Sequence, residues 1–430
     1  AFDSSFDNLD KRTQRIDIGD LNIALLPKQT RGETVTVCMK FKSGDEKNLF
    51  GKANLQPVAA AMLTRGTKTM TRSEIEDRMT ELKMAGSITN FTTTRKNLPA
   101  ALELVFDAMH NSIMPQDEFD QFKKQMQVMI ESMRDKPDAL AQNAITQHFN
   151  TYPKGDPRYE YSLDESLEQL NKLTVDQVRA FYKEFGGTSR GEISIVGDFD
   201  PKTVEKIIRD DYAKYVSKAH YAPVVTEYRP VKATRVVIDT PDKENAIIVA
   251  RSVFPINDTA PDAPALTVAN WILGGGTGLS NRLIERLRQK EGLSYGAGSH
   301  VRIPAKGDNG SFVFRAIVAP QNMLQAEASA RDVIAKAIKD GFTDQEVEEA
   351  KKGLLQAMQV ARSQDDVVAR SWNDKMENQR TWVFSKKQAE AISKLTTADV
   401  NAALRKYIKP DEITFVLAGD QKKAAQKKQD

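Results

Sequence analysis

Two side chains able to act on a peptide bond stand close together in the run 274–295, GGGTGLSNRLIERLRQKEGLSY: the guanidinium of Arg288 and, seven residues on, the phenol of Tyr295. A guanidinium offers a rigid fork of donors and a phenol one O–H, so the pair can hold the carbonyls of an extended peptide. The same residues also suit a plainer role, with the arginine closing a helix C-terminus and the tyrosine half-buried in a sheet. Either way the positioning elements are legible. Leu279, Leu283, Ile284 and Leu287 recur at helical spacing and predict an amphipathic helix over 279–290, with Arg288 on its last turn. Gly292 then lets the chain turn into a strand starting near Ser294.

Other chemistries find less support. The four histidines, His110, His148, His220 and His300, are far apart, and none has a second ligand at the i, i+4 spacing of a helical zinc site. Each is expected at a surface or an interface. Cys38 is the single cysteine; it lies in an apolar stretch with no histidine beside it, so neither a thiol nucleophile nor an internal disulfide is expected. Gly274, Gly275 and Gly276 follow a predicted helix rather than a strand, and no Gly-Lys-Ser/Thr comes after them, which argues against a phosphate loop. They are better suited to ending the 263–273 helix and letting the backbone pass close to another chain. Met126, Met129 and Met133 share one helix face and are expected in a core.

At 430 residues the chain exceeds one ordinary core, so two or more domains are expected. The excess of 62 basic over 59 acidic side chains is only +3, and no basic stripe runs through the interior, which excludes a dedicated nucleic-acid surface. No apolar run approaches the roughly 18 residues of a membrane span. The first residue is Ala1, without a charged-then-apolar leader, so either a leader has been removed or the chain is cut from a longer polypeptide. Cysteine usage fixes no compartment; a bacterial periplasm is the first expectation, with cytoplasm or an organelle matrix left open.

The chain is written twice. Leu173-Thr174 opens a helix followed by a strand ending at Gly197-Asp198; Leu395-Thr396 and Gly419-Asp420 repeat this 222 positions later. DEFDQFKK, ending at Lys124, recurs as QEVEEAKK, ending at Lys352, at an offset of 228. Each copy is therefore a whole domain rather than a solenoid unit. In the first, strands are predicted at 23–27, 35–41, 86–92 and 193–196. Its helices are predicted at 55–63, 72–83, 97–111 and 116–146. Thr71 with Glu74 and Thr174 with Gln177 form capping boxes. In the second, strands are expected at 235–238, 246–253, 294–303 and 311–318, and helices at 263–273, 279–290, 321–339 and 344–362. The expected fold is α+β: two homologous αβ-sandwich domains from internal duplication, each a mostly antiparallel sheet covered by helices. The boundary is placed in the Pro-containing segment 217–232, giving domains 1–221 and 222–430.

The run LGGGTGLSNRLIERLRQKEGLSYG closely resembles the second-domain signature of the pitrilysin/insulinase family of zinc peptidases, which includes mitochondrial processing peptidase. In that family a glycine-rich turn precedes Ser-Arg-Leu, and an arginine then stands seven residues before a tyrosine. Here the triplet is Asn281-Arg282-Leu283, and the arginine and tyrosine are Arg288 and Tyr295. The doubled α+β organisation agrees with the family over nearly the whole chain. One departure is decisive. Catalytic members carry HxxEH shortly before a Gly-Thr pair; the corresponding segment is PVAAAMLTRGT. Its histidine positions are Pro57 and Ala61 and its glutamate position is Ala60. None of these can bind a metal or move a proton. The segment from Lys83 to Leu98 is also much shorter than its counterpart in the second copy, so about a strand's worth of the first domain is trimmed.

The resemblance implies a metal-free half or subunit of such a peptidase, inactive alone, closing as a heterodimer-like clamshell on an HxxEH-bearing half. That half would be a separate subunit or the rest of a longer polypeptide, and zinc is expected only there. The substrate implied is an unstructured peptide bound as an extended segment at a sheet edge. Arg288 would hold its carbonyls, Tyr295 would stabilise the oxyanion, and the loop of Gly274, Gly275 and Gly276 would approach substrate or partner. Two rivals share the fold: a structural core subunit without proteolytic role, and a peptide-binding module that works alone.

Overall fold

The computed structural model describes residues 2–277 and 281–426. Eleven strands occur among them. β1 (Gln14–Ile18), β2 (Asp20–Pro27), β3 (Thr34–Phe41), β4 (Ala85–Gly86), β5 (Asn90–Thr94) and β6 (Arg190–Gly197) form one sheet. β7 (Arg235–Asp239), β8 (Ala246–Pro255), β9 (Ser294–Arg302), β10 (Asn309–Val318) and β11 (Thr414–Gly419) form the other. The orders are β1-β2-β6-β3-β5-β4 and β7-β11-β8-β10-β9. Removing β1 leaves the same topology twice. Each sheet has one parallel pair joining its first and last equivalent strands, β2 with β6 and β7 with β11; the other pairings are antiparallel. β4 has two residues where its equivalent β9 has nine, so the first sheet lacks most of that edge.

The helices do not stay with their own copy. Helix Pro137–His148 of the first copy lies on the second sheet, where Ala141 and Ile145 pack with Ile247, Val249, Val416 and Ala418. Helix Asp365–Glu377 of the second copy lies on the first sheet, where Val368, Ala369, Trp372 and Met376 pack with Ala24, Leu26, Cys38 and Val196. Each central strand is therefore covered on both faces, by its own helices and by the exchanged one. That is why all but the first residue of β6 and every residue of β11 are buried, as apolar central strands require.

Several features depart from the expectations above, and among them the strand foreseen at 86–92 is two, β4 and β5. The single helix foreseen over 116–146 is two, Gln116–Met133 and Pro137–His148. Pro137 holds Lys136 in an extended conformation (ψ 125°) and starts a new helix at its first position. A short helix, Phe6–Arg12, capped by Ser5, and the edge strand β1 precede the first foreseen strand. On the methionine face Met126 packs on the core, while Met129 is exposed. The segment between the sheets is tied down rather than loose. Arg158 donates to the Val225 carbonyl at 2.8 Å, Tyr152 Oη accepts from the Glu227 N–H at 3.1 Å, and the Tyr228 N–H donates to Asp308 Oδ1 at 2.8 Å. The Tyr152 ring is held between the guanidinium groups of Arg158 and Arg229, at 4.0 and 3.9 Å.

Candidate functional site

The candidate site is built on β9 and the helical turns before it. Asn281 is buried; its Oδ1 caps the short helix Arg282–Ile284 by accepting from the Ile284 N–H at 2.9 Å, and its Nδ2 donates to the Gly276 carbonyl at 3.1 Å. Asparagine here performs the cap that a serine could also supply, and adds a second bond to the glycine loop. From Glu285 to Lys290 the backbone opens into a wide turn closed by a Glu291 N–H to Arg286 carbonyl bond at 3.1 Å. The expected regular helix over 279–290 is thus a short α-turn followed by a π-turn, a geometry frequent at functional sites. Leu279 lies outside the described residues. Leu283 and Leu287 are buried as the periodicity foresaw.

Three arginines leave this segment, and two are committed. Arg282 makes a forked pair with Glu346, both bonds 2.8 Å, and lies 4.8 Å above the Phe342 ring. Arg286 pairs with Glu291 and, at 2.8 Å, with Asp332. Arg288 makes no hydrogen bond or ion pair with any described residue, and its side chain is exposed. The chain then reverses at Gly292 (φ 61°), with the Leu293 N–H donating to the Leu287 carbonyl at 2.7 Å. Tyr295 follows as the second residue of β9, 64 % exposed. Arg288 stands in the last turn of this segment without bonding its carbonyls, and Tyr295 is more exposed than buried. Both are presented to solvent on either side of one tight turn, at the start of the sheet's edge strand.

The glycine loop backs onto the middle of that strand. Trp271–Gly275 is a second wide turn, closed by the Gly276 N–H on the Trp271 carbonyl at 2.9 Å. A Cβ on Gly274 would stand 2.4 Å from Ser299 Oγ, and one on Gly275 would stand 2.5 Å from Asn270 Nδ2. Gly274 is buried against β9, so internal packing alone demands glycine there. Gly275 and Gly276 remain partly open.

The helix expected to carry metal ligands in a catalytic relative is Leu55–Met62. Pro57 falls in its first turn, where the missing N–H costs nothing. Pro57 and Ala60 are exposed, and Ala61 is partly so. Ala59, Ala60 and Leu63 line a cleft of about 280 Å³ whose other walls include Phe41, Met109, Phe181 and Phe185. These residues offer no donor set for zinc, and among the described residues no three His, Cys, Asp or Glu side chains are grouped as a metal site. The site does not fit the metal of the catalytic family.

Residues 172–354 match the family model described as the Peptidase M16 inactive domain. An uncharacterized zinc protease of Mycobacterium bovis is 24 % identical over 299 residues; the match spans 66 % of this chain and 66 % of that relative's length. The non-peptidase homolog YmxG of Helicobacter pylori is 20 % identical over 404 residues, covering 90 % of this chain and 89 % of its own. Among solved structures, a peptidase M16 inactive domain from Pseudomonas fluorescens superposes with a TM-score of 0.79 at 20 % identity, covering 95 % of this chain and 97 % of that one. The periplasmic protease PqqL of Escherichia coli superposes at 0.63 and 14 % identity, covering 93 % of this chain but 44 % of PqqL. The doubled αβ fold is that of these solved M16-like chains, and the described helix Leu55–Met62 carries no metal-ligand side chain at Pro57, Ala60 or Ala61. Residues 172–354 are thus similar to the inactive domain of M16, or pitrilysin/insulinase-type, peptidases.

Proposed function

We propose that this chain is the metal-free half or subunit of a zinc metalloendopeptidase and that it closes on an HxxEH-bearing half around an extended peptide. The observation that carries this is the freedom of Arg288. Its two neighbouring arginines are locked into ion pairs, while its own fork is held out beside the exposed Tyr295. A scaffold has no use for an uncommitted guanidinium and phenol at one turn. In this reading the Arg288 fork holds substrate carbonyls, and the Tyr295 O–H donates to the oxyanion of the tetrahedral intermediate. In a closed, water-poor chamber such a donor contributes ~2.7–4 kcal/mol. The partner half supplies all metal chemistry. The edge position of β9 suits backbone pairing with the peptide near Tyr295, which gives affinity with little sequence preference. Gly275 and Gly276 are the loop residues left to face substrate or partner. The 44 % coverage of PqqL favours a half-sized unit that pairs with a second.

The test is reconstitution with the HxxEH-bearing homologue of the same genome and an unstructured fluorogenic peptide. Tyr295→Phe and Arg288→Ala are each expected to lower kcat/KM by ~100-fold or more, with the assembled pair intact by gel filtration. Unchanged kcat/KM in both variants would leave the scaffold reading, which the non-peptidase name of the Helicobacter relative favours.

A further inference from the structure

A second cleft, of about 660 Å³, opens at the far end of β9 from Tyr295, where Val301, Arg302 and the turn through Pro304 meet four helices of the second copy. That volume is ordinary for a ligand site. Much of its wall is apolar: Leu354, Met358 and Ile392 lie there with Phe384 and Ile303. Its charged groups are unequal. Arg380 is fully used, forked onto both oxygens of Asp258 at 2.7 Å and stacked 3.8 Å over Phe384. Lys375 has no such partner. Its side chain makes no hydrogen bond or ion pair with any described residue, and its amine sits 3.9 Å from the centroid of the Trp382 ring. An ammonium held on an indole face with its donors unused leaves room for one anion.

We propose that this cleft binds the free C-terminal carboxylate of a peptide with apolar terminal side chains, the Lys375 ammonium pairing with the carboxylate. Two unpaired cations among the described residues of the wall, Lys375 and Arg302, stand against the unpaired carboxylate of Asp374, so one positive charge is left beside the apolar surface, which matches a monoanion on an apolar body rather than a doubly charged phosphate. The choice of a peptide rests on the function proposed above; the carboxylate pairing does not. Burial holds the Lys375 amine down to about 8. The groups facing it are Asp374 on its own helix, Asp10 on the Phe6–Arg12 helix, and Arg380. Asp10 is already engaged, accepting from the Trp382 backbone N–H at 2.9 Å, and Asp374 is exposed. Binding needs the protonated amine, so affinity falls as pH rises through about 8, and an occupied cleft takes up a proton there.

The isolated full chain serves for the test, since neither the partner half nor Arg288 is involved. A dye-labelled peptide ending in Ala-Leu-Leu is titrated by fluorescence anisotropy as the free acid and as the C-terminal amide. The acid is expected to bind roughly tenfold or more tighter at pH 7. Lys375→Met should erase that preference with the melting transition retained, and Lys375→Arg should keep it even at about pH 9.5. Equal binding of acid and amide, or a preference that survives Lys375→Met, overturns the proposal. Octanoate, a carboxylate without a peptide backbone, should displace the peptide only weakly; displacement at equal affinity overturns the assignment to a peptide. Failure here leaves the proteolytic reading intact, and silent Arg288 and Tyr295 variants would leave this site intact.

Discussion

Lys351 Nζ donates to the carbonyl of Leu395 at 2.8 Å, and the equivalent residues of the first copy repeat the contact, Lys123 Nζ to the Leu173 carbonyl at 2.9 Å. In each copy this bond joins the two sequence anchors that revealed the duplication. Leu173 and Leu395 cap the C-terminal ends of helices Leu163–Lys172 and Trp382–Lys394, so each lysine satisfies a carbonyl that the helix cannot. Lys351 is the more buried of the two. Lys351→Met is therefore expected to cost about 1–3 kcal/mol, read as a lower urea midpoint at unchanged slope, and Lys123→Met less.

Arg282 and Arg288 should separate cleanly by assay. Arg282 is forked onto Glu346, which also closes the capping box of helix Asp344–Arg362 with Thr343. Its replacement by alanine leaves that carboxylate without its guanidinium and should destabilise the chain by about 1–3 kcal/mol. Arg288→Ala should change thermal stability by no more than about 0.5 kcal/mol, because no described residue is hydrogen-bonded or ion-paired to that side chain. A large melting shift for Arg288→Ala would mean that it is a structural residue, contrary to its proposed role.

Local physics made much of this legible from the chain alone. The capping boxes at Thr71 and Thr174 form in full, and the strand runs fell where alternation and apolar content placed them, except that the run at 86–92 breaks into β4 and β5. The lost metal ligands needed only residue identity. What escaped was non-local. That Glu346 would engage Arg282 from 64 positions away, or that Trp372 would donate its indole N–H to Thr13 Oγ1 at 3.1 Å, is invisible to periodicity. The helix exchange was hidden for the same reason, since an apolar helix face does not say which sheet it covers. The two wide turns around the site look like ordinary helix in sequence, because their apolar spacing is nearly helical.

Asn373 ties the exchanged helix to the first sheet. Ser194 Oγ on β6 donates to its Oδ1 at 2.5 Å, and its Nδ2 donates to the Cys38 carbonyl on β3 at 3.1 Å. Asn373→Leu keeps the volume but orphans a buried hydroxyl, and is expected to cost about 1–3 kcal/mol. Because each sheet is covered by a helix of the other copy, calorimetry of this variant should show one transition at lower temperature. Two resolved transitions would show that the copies unfold independently and that the exchange does not couple them.

Lys375 also links stability to pH. Its amine is held by burial at about 8, below the ordinary 10.5. Below about pH 8 both folded and unfolded chains carry the proton, and the folded chain bears the full cost of the buried charge. Between about 8 and 10.5 the unfolded chain binds more protons, so this group makes stability rise with pH; above 10.5 the cost is gone. At 1.36 kcal/mol per pH unit the cost is roughly 3 kcal/mol at most. Lys375→Met should thus raise the melting temperature at pH 7, with the gain shrinking through that window and vanishing above it. A gain that stays constant from pH 7 to pH 11 would assign the effect to packing against Trp382 rather than to the ammonium.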